Sequence, residues 1–222
     1  MKTHIAVDIA LFRLQDSVLQ VLLTKRDSQS SAYPNQWSLP GGVVEESDID
    51  LDAAAHRTLV RRIQADVPHM EQVSTEGSAT RDFRGWSITT LYFGLVPHDT
   101  VLNLPDNAKW FNVTDKQLNN LAFDHSLLVK KAYQRFQTKA VYSLLPAYLM
   151  EKTFTYTELQ TVYESILDRP IDKSQFRKKL KDHPDLVKVG VRTGVPYNPP
   201  VLLSVKLNPT QMLFPDPLVK IG

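Results

Sequence analysis

With 222 residues, 42% of them hydrophobic and 23% charged, the chain has room for one large domain or an ordinary one with a small companion, and disordered and fibrous classes are excluded. It has no cysteine, so neither a disulfide framework nor a thiolate zinc site is open to it. The net charge of +2 hides a division, because residues 1–137 carry −2 and residues 138–222 carry +4, and the basic part needs its own explanation.

The polar start Met1-Lys2-Thr3-His4 has no signal-peptide pattern, and no apolar run approaches the length of a membrane span, so a cytoplasmic location without a membrane partner is expected. His4 to Leu14 and Val18 to Lys25 are rich in Val, Ile and Leu around a Gln15-Asp16-Ser17 turn and read as a hairpin. A polar loop follows from Asp27 to Asn35. The stretch from Trp37 to Ala65 holds Leu39-Pro40-Gly41-Gly42, whose glycines permit a tight turn and close approach of a ligand. A helix then runs from Leu51 to Ile63 with apolar residues at helical spacing, and Pro68 stops it soon after Val67. Gln72 to Ser78 and Trp86 to Val96 read as strands. Between them Arg81 and Arg84 flank Phe83 ahead of Trp86. Arginine forks suit phosphates and an aromatic face suits a base, although taken alone such a cluster is more often an exposed hairpin tip with surface arginines. Lys109 to Val113 is a short strand. Leu121 to His125 leads into a helix from Ser126 to Phe136, which His125 either caps or leaves to face a cleft.

A domain boundary is placed near residue 140, giving domains 1–139 and 140–222. Thr155 caps a helix with Leu159, Val162, Tyr163 and Ile166 at i, i+3, i+4 and i+7. After the break at Asp168-Arg169-Pro170, Asp172 caps a second helix from Lys173 to Lys181, anchored by Phe176 and Leu180. Strands at Leu186 to Val191 and Val201 to Leu207 enclose a wing, Arg192-Thr193-Gly194-Val195-Pro196. A basic second helix followed by a hairpin with a basic tip fits a winged helix-turn-helix on DNA better than it fits a merely solvated surface.

The stretch from Gly42 through Arg57 resembles the Nudix box of nucleoside-diphosphate-X hydrolases. That box has a glycine, an acidic residue and an arginine followed by glutamates that hold divalent metal against a pyrophosphate. Here one extra residue separates Gly42 from Arg57, the first acidic position falls in the Asp48 to Asp50 region, Thr58, Arg61 and Arg62 stand at glutamate positions, and Gln64 stands at the final glycine. Hard cations require oxygen ligands. At about 5 Å and an effective dielectric near 20, a carboxylate gains roughly 7 kcal/mol beside a divalent ion and an arginine loses a similar amount. The sign of the site is inverted.

With the run from Tyr142 through Phe154-Thr155-Tyr156-Thr157-Glu158-Leu159-Gln160 and Asp172-Lys173-Ser174-Gln175-Phe176-Arg177, the whole chain resembles the NrtR family of Nudix-related transcriptional regulators of NAD metabolism. The resemblance implies an α/β class with a Nudix-like α/β/α sandwich followed by a C-terminal winged helix. It implies a homodimer on double-stranded palindromic operator DNA, with ADP-ribose or a related NAD metabolite as effector and no required cofactor. The expected ligand-binding residues are Arg26, Trp37, Gly41, Gly42, Arg57, Arg81, Arg84 and Trp86, with Trp37 or Trp86 stacking on the base. The expected DNA-binding residues are Thr155, Lys173, Ser174, Gln175, Arg177, Lys178, Lys181 and Arg192. Catalytic and metal-binding residues are not expected. The rival reading is an active hydrolase with a basic accessory domain, in which Glu45, Glu46, Asp48, Asp50 and Asp52 supply metal oxygens.

Overall fold

Strand β1 (His4–Gln15) is buried on both faces over most of its length, which a strand in the middle of a covered sheet requires. The computed structural model describes residues 3–64, 67–194, 197–206, 213–214 and 217–218. Val7, Ile9 and Leu11 point to one side of β1, where they pack with Ala54, Ala55, Leu59 and Ile63 of helix α1 (Leu51–Ile63). Successive strand residues alternate faces. Accordingly Phe12 points to the other side and meets Tyr133 of helix α2 (His125–Tyr142) at 6.4 Å between ring centroids. One helix on each face gives the expected α/β/α sandwich.

The remaining strands are β2 (Val18–Lys25), β3 (Trp37–Ser38), β4 (Gly41–Val43), β5 (His69–Ser78), β6 (Ser87–Leu95) and β7 (Ala108–Asn112). The sheet order is β3-β2-β1-β6-β5, with β4 beside β1 and β7 beside β2. Strands β1 and β6 are parallel from His4 opposite Ser87 to Phe12 opposite Leu95.

The glycine pair corrects one expectation. Gly41 and Gly42 do not form a tight turn; they lie in β4, antiparallel to Asp8 and Val7, and neither has positive φ. They are glycines because of close packing. A Cβ on Gly41 would stand 2.1 Å from Asp8 Oδ1, and one on Gly42 would stand 2.7 Å from Thr58 Oγ1.

Helix α1 begins on Asp50, which accepts from the Ala53 amide at 2.7 Å, and ends at Ile63 because Gln64 turns left-handed. The end comes before Pro68 acts, and Ala65 lies outside the described residues. Helix α2 outruns its expected end at Phe136: residues 137–142 contain neither Gly nor Pro, and Ala140 continues the buried stripe of Leu128, Ala132 and Phe136. Residue 140 therefore lies inside the helix.

The chain forms two compact units. The second comprises Leu14–Leu19, Pro97–Asp99 and the chain from Phe136 onward. In it, helix α3 (Tyr156–Leu167) buries Leu159, Val162, Tyr163 and Ile166, and Phe176 of helix α4 (Lys173–Leu180) meets the Tyr163 ring edge-on at 5.3 Å. Gln160 donates to the Ile171 carbonyl and Glu164 accepts from the Ile171 amide at 2.8 Å, fixing the turn between the helices. Strands β8 (Leu186–Val191) and β9 (Val201–Val205) form an antiparallel wing, and Phe154 pairs with Leu203 as a short third strand. The wing residues Val195 and Pro196, and Leu207 at the expected end of the last strand, lie outside the described residues. No helix among the described residues is long and apolar enough to cross a membrane.

Gly41→Ala drives a methyl into a carboxylate held on several sides, and overpacking of this kind costs about 1–3 kcal/mol. Urea denaturation should show the unfolding free energy falling by that amount, read as a lower midpoint with the slope unchanged.

Candidate functional site

Asp8 is 5% exposed on β1, and three groups converge on it. Thr89 Oγ1 donates to Oδ2 at 2.8 Å, the Arg81 guanidinium lies 3.7 Å from the same oxygen, and His125 Nε2 lies 3.5 Å from Oδ1. Arg81 is held from its other side by a two-pronged pair with Asp124 at 3.0 and 2.9 Å. His125 Nδ1 accepts the Leu39 amide at 2.9 Å, so its proton sits on Nε2, facing Asp8. Burial holds His125 below the usual histidine range, outweighing the opposing pull of Asp8 and Asp124. This histidine is structural and neutral, and it fixes the start of α2 against the strand that leads into the box.

Above this cluster opens a cleft of about 400 Å³. Its cations are Lys25, Arg26, Arg62, Arg81 and Arg84, against the carboxylates Asp8, Asp27 and Asp82. Arg84 forks onto Asp82 at 3.0 and 2.7 Å. Arg26 and Arg62 have no carboxylate partner among the described residues; their Nε atoms donate to the carbonyls of Ala32 and Gly41. Burial, and then the charges of Arg84 and Arg62, hold the Arg26 guanidinium below its usual value. Cations crowded in this way favour an anion between them.

The aromatic surface of the cleft is Phe123. Arg26 lies 4.8 Å and Arg84 5.5 Å from its ring centre, and Tyr33 meets it edge-on at 4.6 Å. Phe123 and Tyr33 both sit at positive φ, 55° and 48°, a strained conformation for bulky side chains that marks functional loops. Sequence reasoning missed both, because no turn-forming residue announces the left-handed backbone.

Arg26, Gly41, Gly42, Arg81 and Arg84 come together around the cleft, whereas Trp37, Trp86 and Arg57 do not line it. Trp37 packs edge-on against Phe111 at 5.0 Å, and the Trp86 ring covers Gly77. The expectation that either tryptophan stacks on a base is corrected accordingly. Arg57 clamps the loop before α1: it pairs with Asp48 through two 2.6 Å contacts and also reaches Glu45 and the Val43 carbonyl. Its hydrogen bond, followed by the backbone amide of Glu45, lowers Asp48 to about 2.

Three further box carboxylates are also engaged, while Glu46 is exposed. Glu45 accepts from Arg57 and Arg61, Asp50 caps α1, and Asp52 accepts the Tyr92 hydroxyl at 2.7 Å. Among the described residues, no three His, Asp or Glu groups are placed to hold a metal ion. A divalent ion in the box would meet the cations Arg57, Arg61 and Arg62, so these residues do not fit one.

In the second unit, α4 exposes Lys173, Ser174, Gln175, Arg177, Lys178 and Lys181 while burying Phe176 and Leu180. Lys173 and Arg177, one helical turn apart, line a groove with Tyr156, Thr157 and Gln160 of α3, and Arg177 stands over the Tyr156 ring at 5.2 Å. Two expected DNA contacts are otherwise occupied. The Thr155 side chain is buried and closes a capping box with Glu158, and Arg192 forks onto that same Glu158 at 2.7 and 3.0 Å. Burial opposes the charge on Glu158, but Arg192 and Thr155 outweigh it and hold its pKa below the usual range.

Comparison with known proteins accords with both units. The NUDIX domain model matches residues 2–132, and the NrtR DNA-binding winged helix domain model matches residues 146–202. The chain is 40% identical over 180 residues to the ADPR responsive transcriptional repressor NtrR of Acinetobacter baylyi, covering 78% of this chain and 70% of that one. It is similar to Shewanella oneidensis NrtR solved with a 27mer DNA, with a TM-score of 0.85, 31% identity, and coverage of 97% and 99% of the two chains. The NUDIX domain of that protein, solved with ADP ribose, matches with a TM-score of 0.56 and 33% identity over 61% of this chain and 90% of that one.

The buried histidines set a pH dependence. Burial lowers His125 and His183 from 6.5, so on acidification the unfolded chain takes up these protons first. Stability is full above pH 6.5 and falls as pH drops towards the folded values, by at most about 1.4 kcal/mol per pH unit for each proton. Asp48, lowered from 3.8 to about 2, contributes loss only in that lower window. Urea denaturation against pH should resolve the two phases, with His125→Gln shrinking the upper one, in which His183 remains, and leaving the lower one unchanged.

Proposed function

The chain belongs to the NrtR family of Nudix-domain transcriptional regulators, and on that premise we propose that it represses genes of NAD biosynthesis or salvage and is released from DNA by ADP-ribose or a related nucleotide. The observation that carries the sensing half is that Arg26 and Arg62, which line the cleft with Arg84 and Phe123, have no carboxylate partner among the described residues. A diphosphate suits the arginines, and a base or ribose suits the half-buried Phe123 ring that lines the cleft with them. No separate cofactor is required. The first compact unit is the sensing domain and the second the DNA-binding domain. The working state is a cytoplasmic homodimer with one half-site of a palindromic operator under each winged helix.

On the DNA side, Lys173, Gln175, Arg177 and Lys178 are the contacts we assign to α4, with Ser174 and Lys181 at its ends. Arg192 reaches a phosphate only by giving up Glu158, and Thr155 acts by setting the start of α3. On the sensing side Arg81 is a positioning residue for the cleft floor. Arg57 supports the box loop.

The domain does not hydrolyse its effector, because four of the five box carboxylates are engaged by arginines, a backbone amide and a tyrosine hydroxyl, and a metal ion would meet Arg57, Arg61 and Arg62. With magnesium or manganese present, ADP-ribose turnover should stay at background. Sustained hydrolysis abolished by EDTA would overturn this assignment.

A metabolite shifts the operator equilibrium only through its differential affinity for DNA-competent and DNA-incompetent states. A tenfold loss of operator affinity requires about 1.4 kcal/mol of coupling, and linkage requires operator DNA to weaken metabolite binding by the same factor. Calorimetric titration of ADP-ribose with and without saturating operator should show that reciprocity. Arg84→Ala should weaken metabolite binding and spare metabolite-free DNA binding, and Arg177→Ala should do the reverse. Equal affinities in the two titrations would show the sites to be uncoupled.

A further inference from the structure

Beside the cleft lies a second, smaller pocket of about 230 Å³, entirely within the degenerate box. Its walls are the β4 segment Gly41–Val43 and the α1 side chains Arg57, Thr58, Arg61 and Arg62, with Glu45 as its carboxylate. Arg62 and Gly41–Val43 also line the cleft, so the two cavities share a wall.

The three arginines are not equally committed. Arg57 is 18% exposed at its side chain and is spent on Asp48, Glu45 and a carbonyl. Arg61 is 58% exposed and holds only Glu45, itself 43% exposed, and a pair of that kind contributes little. Arg62 has no carboxylate partner among the described residues. With Asp48 and Glu45 each neutralising one arginine, the pocket keeps one uncompensated positive charge.

An independent feature points to a ligand in the same place. Thr58 is 2% exposed, lines this pocket, and its Oγ1 has no hydrogen-bond partner. Leaving a buried hydroxyl unpaired is costly, and such groups are rare unless something outside the chain satisfies them. A valine would fill the same volume without that cost. The hydroxyl lies in the pocket wall against Gly42, where a Cβ would stand 2.7 Å from Oγ1, and a donor in the wall of a cationic pocket suits an oxyanion better than a metal ion.

We propose that the inverted box is a metal-independent oxyanion site that takes a phosphate group on Arg61, Arg62 and the Thr58 hydroxyl. The incoming group displaces Glu45 from Arg61 and accepts the unpaired Thr58 hydroxyl. Arg57 stays on Asp48 and holds the loop. The phosphate group is either free inorganic phosphate seated beside the nucleotide or a phosphate of the nucleotide itself reaching past the shared wall. The chemistry is the same in both cases and does not depend on which nucleotide is the effector.

The probe is inorganic phosphate titrated calorimetrically into the full chain, in a non-phosphate buffer with EDTA at constant ionic strength. Saturable binding is expected. Thr58→Val should weaken it about tenfold, the usual effect of removing one hydrogen bond to a charged group. Thr58→Ser should restore it, and Arg62→Ala should weaken it at least as much as Thr58→Val. Thr58→Val should also raise the melting temperature in phosphate-free buffer while shrinking the rise that phosphate produces. An ADP-ribose titration at saturating phosphate distinguishes the sources: unchanged affinity identifies free phosphate as a second ligand, and reduced affinity identifies a phosphate of the nucleotide. Absence of saturable phosphate binding, or binding indifferent to Thr58→Val and Arg62→Ala, overturns the site while leaving the regulator reading to stand on ADP-ribose and DNA alone.

Discussion

A carboxylate inside the sheet is the constraint to which the sensing domain is fitted. Asp8 lies on the central strand, and a charge taken out of water there is tolerated only if it is compensated and hydrogen-bonded. Compensation comes from three parts of the chain: Thr89 on the neighbouring strand, Arg81 from the loop between β5 and β6, and His125 at the first turn of α2. Each partner fixes something else. Arg81 carries Asp124 with it, His125 reaches on to the Leu39 amide, and Ala122 donates to the Trp37 carbonyl at 2.8 Å. The loop that bears Phe123 is thereby pinned on both sides. Gly41 follows from the same constraint, since no Cβ fits against Asp8 Oδ1.

How much of this was legible in the sequence depended on the range of the interaction. Caps and apolar periodicity act within a turn or two, and Asp50, Thr155 and Asp172 start their helices where the pattern put them. The apolar strands and the pairing of α3 with α4 were readable for the same reason. Side-chain partners distant in sequence were not. Arg57, Arg81, Arg84 and Arg192 were all visible as arginines, but nothing local says that Asp48, Asp124, Asp82 and Glu158 meet them. Trp37 and Trp86 looked like stacking residues by type, whereas Phe123 lines the cleft because its backbone is left-handed, which a phenylalanine does not advertise. The end of α2 was misjudged because a change in composition near residue 140 was taken for a break, although the buried stripe of Leu128, Ala132 and Phe136 continues to Ala140.

Charge inversion in the box changes what the fold has to hold in place. A glutamate cluster without its metal is a set of like charges on one helical face, and the ion is what makes the arrangement stable. Arginines at those positions can pair with the remaining carboxylates instead. Glu45 and Asp48 do this with Arg57 and Arg61, so the loop before α1 is tied down by protein groups alone. Arg62 is left over, facing the cleft. A site that is ordered without metal is suited to reporting the presence of an anion, because the response then follows the anion's concentration alone.

The winged-helix unit shows the complementary economy around one residue. Glu158 accepts the Thr155 amide and hydroxyl, which starts α3, and also takes both prongs of Arg192 at the base of the wing. Helix start and wing are therefore linked through a single carboxylate at the edge of the groove that Lys173 and Arg177 line. A DNA phosphate competing for Arg192 would loosen the wing from α3 while leaving the Thr155 cap in place, because the cap bonds do not involve the guanidinium. Phosphate binding at the wing then carries an internal cost, the loss of a half-exposed two-pronged ion pair, which α4 contacts do not incur. That cost is the same for every sequence and adds nothing to discrimination between operators, whereas Gln175, Arg177 and Lys178 on α4 face solvent without a carboxylate to displace among the described residues.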